Sequence, residues 1–147
     1  MGFSVSGAAA VIFATMFLTF GMWYTASANS FERVTEAENA RSDTVLETRN
    51  TAISITNVTY NSSADELTVA VENTGAAQLS VESTDLLVNG QYQTGWAESA
   101  TVAGKDTRLW LAGETLSMTV AATTEPSRVK VATENGVSTT ATEVTLQ

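Results

Sequence analysis

The sequence predicts an all-β, immunoglobulin-like antiparallel sandwich preceded by a single N-terminal transmembrane α-helix. Three observations carry that expectation. Residues 1–30 contain no charged side chain. From Thr51 onward, apolar and polar residues alternate in short runs, the pattern of half-buried strands. Asn-Gly pairs and similar turn signals stand between those runs, and no helical period appears there.

Residues 1–30 are assigned to the membrane anchor. The stretch from Phe3 to Ala28 reads FSVSGAAAVIFATMFLTFGMWYTASA, with neither charge nor proline. About 20 such residues span a bilayer core as a helix rising ~1.5 Å per residue. Phe3, Val11, Ile12, Phe13, Phe17, Leu18 and Phe20 face lipid in this reading. Trp23 and Tyr24 fall where amphipathic rings favour the interface. A buried core helix would need a polar face, which the segment lacks. A cleaved secretory signal is the other alternative, and Ala26-Ser27-Ala28 would be its processing site. The apolar run is long for a signal, and no Lys or Arg precedes it. Gly7 and the Ala8 to Ala10 cluster form a small face, suited equally to lipid or to a second helix. Charge specifies orientation weakly, since Glu32 and Arg33 are the first charges after the run. The C-terminal domain is expected outside the cytoplasm.

Residues 31–50 are expected to continue as a helical stalk or linker. The segment has no Pro or Gly and is rich in helix formers. Phe31, Val34, Ala37, Val45 and Leu46 make a thin, broken stripe; its heptads are few and weak, so a solvated stalk is preferred to the alternative, a short self-associating coiled coil. Glu38 and Arg41 are spaced to pair along the helix.

Residues 51–147 are expected to form the sandwich. Ile53 and Ile55 alternate, and then Val58 and Tyr60 alternate on the other parity, which implies a bulge. Further runs are Leu67-Val69-Val71, Leu79-Val81, Leu109-Leu111, Leu116-Met118-Val120, Val129-Val131 and Val144-Leu146. Asn89-Gly90 and Asn135-Gly136 signal hairpins, because both residues tolerate positive φ. Asn61 to Asp65, Asn73-Thr74-Gly75 and Ala112-Gly113-Glu114 are further turns. Seven or eight short strands with such turns suit an immunoglobulin-like sandwich.

The chemistry available is narrow. The 147 residues carry a net charge of −9, with no His, no Cys and two lysines, Lys105 and Lys130. Residues 31–49 hold five acids and three arginines, and residues 50–147 hold eleven acids and four bases. Such a surface repels phosphates, so no nucleic-acid partner is expected. It suits either a low-lysine protein kept soluble in high salt or a domain that meets cationic surfaces, the first being the preferred reading. Thiol nucleophiles, histidine triads and zinc sites are unavailable. No phosphate loop or calcium loop appears, so no enzyme activity, cofactor or metal is expected. A tethered carbohydrate-active domain would need two carboxylates facing one cleft. Two sequons, Asn57-Val58-Thr59 and Asn61-Ser62-Ser63, are N-glycosylation candidates. Tyr92 and Trp96, just after the Asn89-Gly90 turn, and Trp110 are candidate partner-binding aromatics, with core packing as the alternative. Because Trp110 lies between Leu109 and Leu111, it is expected to point away from the face that they share.

Particular stretches carry a family resemblance. They are the opening MGFSVSG, the helix ending FGMWY, the block Phe31-Glu32-Arg33-Val34, and the later stretches VENTG, TDLLVNG, WLAGETL and VKVATENGV. Together they resemble the archaellum (archaeal flagellum) accessory protein F family, FlaF or ArlF, in a haloarchaeal form. The resemblance covers essentially the whole chain. It implies a non-enzymatic stator component of the archaellum motor in the cell membrane, held by one helix. Its immunoglobulin-like domain would lie between membrane and surface layer. It implies the surface-layer glycoprotein and accessory protein G as partners, in a homo- or hetero-oligomer. The alternative is an archaellin or pilin-like filament subunit, whose helix packs in a filament core. Such precursors carry a basic residue before the processing site, whereas only Met1 and Gly2 precede Phe3, so the helix is expected to be an uncleaved anchor.

Overall fold

The computed structural model describes residues 3–147, without the side chains of Phe3 and Ser4. The membrane-facing role expected of the Phe3 side chain therefore lies outside the described residues. The chain divides into two compact units, Met1–Asp43 and Thr44–Gln147.

One helix, α1, runs from Phe3 to Asn50 without a break. It is long and apolar enough to cross a membrane, with a mean hydropathy of 1.8 in its most apolar window and none of that window buried. Apolar side chains project on every side, and Val11, Ile12, Phe13, Phe17, Leu18, Phe20, Trp23 and Tyr24 are all exposed. A helix apolar all round needs an apolar surrounding. Its few polar groups are satisfied internally: Thr15 Oγ1 donates to the Val11 carbonyl at 2.6 Å and Thr19 Oγ1 to the Thr15 carbonyl at 2.7 Å. Hydrocarbon demands that arrangement, since it supplies no hydrogen-bond partners. Among the described residues the ion pair is Arg108 with Glu82 at 3.5 Å, and the expected Glu38–Arg41 pair does not form.

The second unit is a mostly antiparallel β-sandwich. Its strands are β1 (Ile53–Asn61), β2 (Glu66–Asn73), β3 (Leu79–Ser80), β4 (Asp85–Val88), β5 (Gln91–Gln93), β6 (Thr101–Val102), β7 (Leu109–Trp110), β8 (Thr115–Ala121), β9 (Val129–Ala132), β10 (Ser138–Ala141) and β11 (Thr145–Leu146). One sheet has the order β11-β1-β2-β8-β6, a second has β10-β9-β4-β5, and β3 pairs with β7. The core between them is built from the alternating positions. Leu67, Val69 and Val71 of β2 meet Leu116 and Met118 of β8, Leu86 of β4, and Val129 and Val131 of β9. Burying each such side chain contributes about 1.5–3 kcal/mol.

The expected bulge in β1 is present: the register with β2 shifts between Ile55 and Asn57, which brings Val58 and Tyr60 inward. One departure from the antiparallel expectation occurs. The last strand, β11, pairs parallel with β1, placing Thr145 against Thr59. Several strands are only two residues long, and the eleven strands among the described residues exceed the seven or eight expected.

Thr44–Asn50, the end of α1, belongs to the sandwich unit. A helix leaves its last carbonyls without intrahelical partners, and here the sandwich supplies donors. Thr51 Oγ1 donates to the Glu47 carbonyl at 2.7 Å, and the Ala76 and Ala77 amides donate to Asn50 O at 2.8 and 2.9 Å. The Asn135 side-chain amide donates to Thr51 Oγ1 at 2.8 Å, so the β9–β10 turn joins the same cap.

The Asn89-Gly90 turn connects β4 and β5 as a two-residue hairpin, with φ of 53° and 82°. Both signs match the turn whose twist suits paired strands. Asn89 does more than turn the chain. Its Oδ1 accepts from Ser127 N at 2.9 Å, Ser127 Oγ at 2.9 Å and Arg128 N at 3.1 Å. Asn89→Ala strips three donors of their acceptor and leaves alanine at positive φ. We expect a loss of about 1–3 kcal/mol, read as a lower denaturation midpoint at unchanged slope for the full chain in detergent.

Candidate interaction surface

The strongest candidate surface is the outer face of the sheet β10-β9-β4-β5. Alternation sends Leu86, Val129 and Val131 into the core and the residues between them outward. Register then aligns the outward residues across strands: Tyr92 lies opposite Leu87, Leu87 opposite Lys130, and Lys130 opposite Thr140. Tyr92 is 59% exposed, Leu87 half-buried and Lys130 exposed. Arg128, two residues before Lys130 and also exposed, follows the same alternation. Its guanidinium lies over the hairpin, 3.6 Å from the position a Cβ on Gly90 would take. Neither base is in an ion pair among the described residues. Two of the four bases of residues 50–147 thus share a patch with an exposed tyrosine and a leucine. Of these side chains, Tyr and Arg are the types enriched at partner contacts, the ring because it removes much apolar area from water at little entropic cost.

This face lies toward the end of the sandwich away from Thr44–Asn50. The β9–β10 turn touches Thr48 and Thr51, so the start of β9, Arg128 and the Asn89-Gly90 hairpin lie at the opposite end. The β5 edge is also open, since among the described residues β5 pairs with β4 alone, and an open edge offers unpaired backbone groups to another strand.

Of the three aromatics singled out in the sequence, only Tyr92 belongs to this surface. Trp96 is 4% exposed. It opens a short 3₁₀ turn, Trp96–Glu98, after Gly95 at φ 84°, and joins the core. Trp110 is fully buried, while Leu109 and Leu111 are 41% and 42% exposed. The inward face of β7 is therefore the reverse of the one expected from the leucines. The larger ring has more area to bury, and its N–H finds a partner inside, the Glu114 carbonyl at 2.8 Å. Neither tryptophan is available to anchor a partner. Leu87, Arg128 and Lys130 escaped the sequence reading because no motif links them and only cross-strand register brings them together. The rarity of lysine in the chain was the one signal at Lys130.

Both sequon asparagines lie on the outward side of β1, alternating with buried Val58 and Tyr60. Asn57 Nδ2 donates to Thr59 Oγ1 at 3.0 Å. Asn61 Oδ1 accepts from the Ser63 and Ala64 amides at 3.0 and 3.1 Å.

A cleft with two carboxylates does exist, lined by Glu47, Asn50, Ala76, Ala77, Gln78, Glu134 and Asn135. Both acids are exposed, and Glu134 Oε1 accepts the Ser80 amide at 3.3 Å. A glycosidase acid needs a desolvated setting, and the cleft's apolar lining is two alanines. No group of three or more His, Cys, Asp or Glu among the described residues could hold a metal.

Comparisons with known proteins complete the description. No curated protein sequence matches the chain. Among solved structures, the archaellum periplasmic stator protein FlaG from Sulfolobus acidocaldarius is similar at 19% identity, covering 62% of this chain and 97% of that one, with a TM-score of 0.45. The stator protein complex of FlaF and FlaG from the same organism is similar at 18% identity, covering 60% and 85%, with a TM-score of 0.42. The ligand-binding region of serine-glutamate repeat protein A of Enterococcus faecium is similar at 13% identity, covering 65% and 97%, with a TM-score of 0.36. The model for archaeal-type flagellin matches residues 2–143, over apolar helix and sandwich alike, and the chain belongs to that family.

Proposed function

We propose that this archaellum-related chain is a stator component, anchored by α1 in the cell membrane and gripping the surface-layer glycoprotein with its sandwich outside the cytoplasm. The observation that carries the reading is the Tyr92–Leu87–Lys130 row with Arg128 beside it. It sets an exposed ring and two bases side by side at the end of the domain away from Thr44–Asn50, which supports a role in contact. A stator must transmit force between membrane and envelope. The backbone of α1 runs unbroken from the apolar segment into Thr44–Asn50, whose carbonyls the sandwich holds. The resemblance to the accessory protein F family supports the surface-layer glycoprotein and accessory protein G as partners, the latter through the open β5 edge.

The test is crosslinking in native envelopes with the full chain carrying Tyr92→Ala and Lys130→Glu. We expect surface-layer protein to be lost from the crosslinked material. The unfolding transition should stay within about 0.5 kcal/mol, because both side chains are exposed. Undiminished capture by the double variant would sink the assignment of this face.

The family match favours a second reading, a filament subunit. In a filament the all-round apolar helix would bury itself against its neighbours, and a Cβ at Gly7 meets no atom within 4 Å, which leaves room for close helix contact. Shearing cells separates the two readings: recovery of the chain in purified filaments supports the subunit, and retention in the membrane supports the stator.

A further inference from the structure

We infer that Asn61 is an N-glycosylation site, preferred over Asn57 four residues earlier, and that its glycan marks one outer face of the sandwich. The inference does not depend on the stator reading. The two sequons share a strand and a face, so the difference between them is one of geometry. Asn57 lies within the ladder, opposite Ala70 of β2 and just after the bulge. Its Nδ2, the atom that would be glycosylated, is engaged by the hydroxyl of its own sequon, Thr59 Oγ1 at 3.0 Å. Thr59 is itself paired on both sides, with Thr68 and with Thr145. A transferase can reach Asn57 in its required conformation only by opening β1. Asn61 is the last residue of β1, where the chain leaves the ladder for the turn to β2. Its Oδ1 is held by the Ser63 and Ala64 amides at 3.0 and 3.1 Å, a side-chain turn that these residues form readily. That turn engages Oδ1 and makes no use of Nδ2. Among the described residues, neither Asn61 Nδ2 nor Ser63 Oγ has a partner. Asn57 is exposed and Asn61 half-buried, so exposure alone does not separate them, but residues 62–65, the rest of the Asn61 sequon included, are all exposed and outside the ladder.

The surface around Asn61 suits a sugar chain. The outward side of this sheet is hydroxyl-rich and carries no large apolar group at its centre: Thr59, Thr68 and Thr119 are aligned across three strands, with the Thr68 and Thr119 hydroxyls 3.5 Å apart. The tyrosine and the two bases sit on the other sheet. A glycan at Asn61 would cover the hydroxyl face and leave the Tyr92 face open.

The donor class is an oligosaccharide linked through phosphate to a polyprenyl lipid. Asn61 Nδ2 attacks the anomeric carbon and the C–N bond forms. The C–O bond to the lipid phosphate breaks, and the lipid phosphate leaves with the bonding pair. The amide proton passes to a base of the transferase, so no oxidant or reductant is needed.

The experiment is glycopeptide mass spectrometry on the full chain recovered from native membranes, as wild type and as Asn61→Gln, Ser63→Ala and Asn57→Gln. We expect a glycan mass on the peptide containing Asn61, lost in Asn61→Gln and in Ser63→Ala and retained in Asn57→Gln. Ser63→Ala keeps the backbone donor to Asn61 Oδ1, so the turn persists and only the sequon is destroyed. A chain at its unmodified mass would overturn the inference. So would a glycan on Asn57 with Asn61 bare.

Discussion

Trp110→Ala is expected to destabilise the sandwich by about 3–5 kcal/mol, the range for deleting a large buried aromatic. Domains of this size are stable by about 5–15 kcal/mol in total, so the variant would stand near the edge of folding. Trp110 is the largest fully buried side chain of the domain. It is also tied into a polar cluster: its carbonyl accepts from Asn73 Nδ2 at 3.3 Å, and its ring N–H donates to the Glu114 carbonyl at 2.8 Å. Asn73, fully buried, further donates from Nδ2 to the Ala77 carbonyl at 2.8 Å, so loosening the ring also loosens the loop that holds the helix terminus. Trp110→Phe should cost less, about 1–3 kcal/mol. The ring stays, and the Glu114 carbonyl keeps its second donor, the Asn73 amide at 3.0 Å. Chemical denaturation of the full chain in detergent measures both. Equal midpoints for wild type and Trp110→Ala would show that the indole is dispensable to the core.

Gly75→Ala is expected to release the end of α1 from the sandwich. A Cβ at Gly75 would stand 2.5 Å from Ala52 N and closer still to Asn50 O, both backbone atoms that cannot swing aside. The reason for glycine here is proximity. Four bonds depend on that approach: Thr74 N and Gly75 N donate to Ala52 O at 2.9 Å each, and Ala76 N and Ala77 N donate to Asn50 O. Overpacking costs about 1–3 kcal/mol, and each bond lost costs about 1 more. Hydrogen exchange reads the effect locally. Ala76 and Ala77 amides should exchange at least tenfold faster, while Val69 and Val71 amides, in the middle of the sheet, keep most of their protection. Unchanged exchange at Ala76 and Ala77 would show that the loop accommodates the methyl group. In the proposed stator, the same variant should reduce motility while leaving the chain in the membrane, because the apolar segment is untouched.

Much of the molecule was legible in the sequence because local chemistry specifies it. An uncharged apolar run can form only a helix in an apolar surrounding. The Val58–Tyr60 parity shift required a bulge, and Asn89-Gly90 required a tight hairpin. At β7 the same reasoning failed. Leu109 and Leu111 outnumber Trp110, and a two-residue strand is too short for alternation to decide its face. The partner in space decided it, since Leu79 pairs with Trp110 and brings the indole over the core. The parallel β1–β11 pair was equally hidden, because Thr59 and Thr145 are far apart in sequence and carry no local sign of meeting. The interaction surface was half legible. Tyr92 stood out beside its turn, but Leu87 and Lys130 join it only through the registers of two strand pairs.

The opening expectation of one helix and one sandwich was settled by the sequence alone, together with the apolar character of the first part of the helix, the turns, and the acidity of the surface. Those properties follow from residues close in the chain, where period, charge and backbone preference act locally. Tertiary structure alone decided which aromatics are buried, which outward residues form one surface, and how Asn50, Thr51 and Gly75 lock the helix terminus. These depend on contacts between distant segments, and there the burial of the larger ring and the satisfaction of buried backbone groups outweigh local pattern.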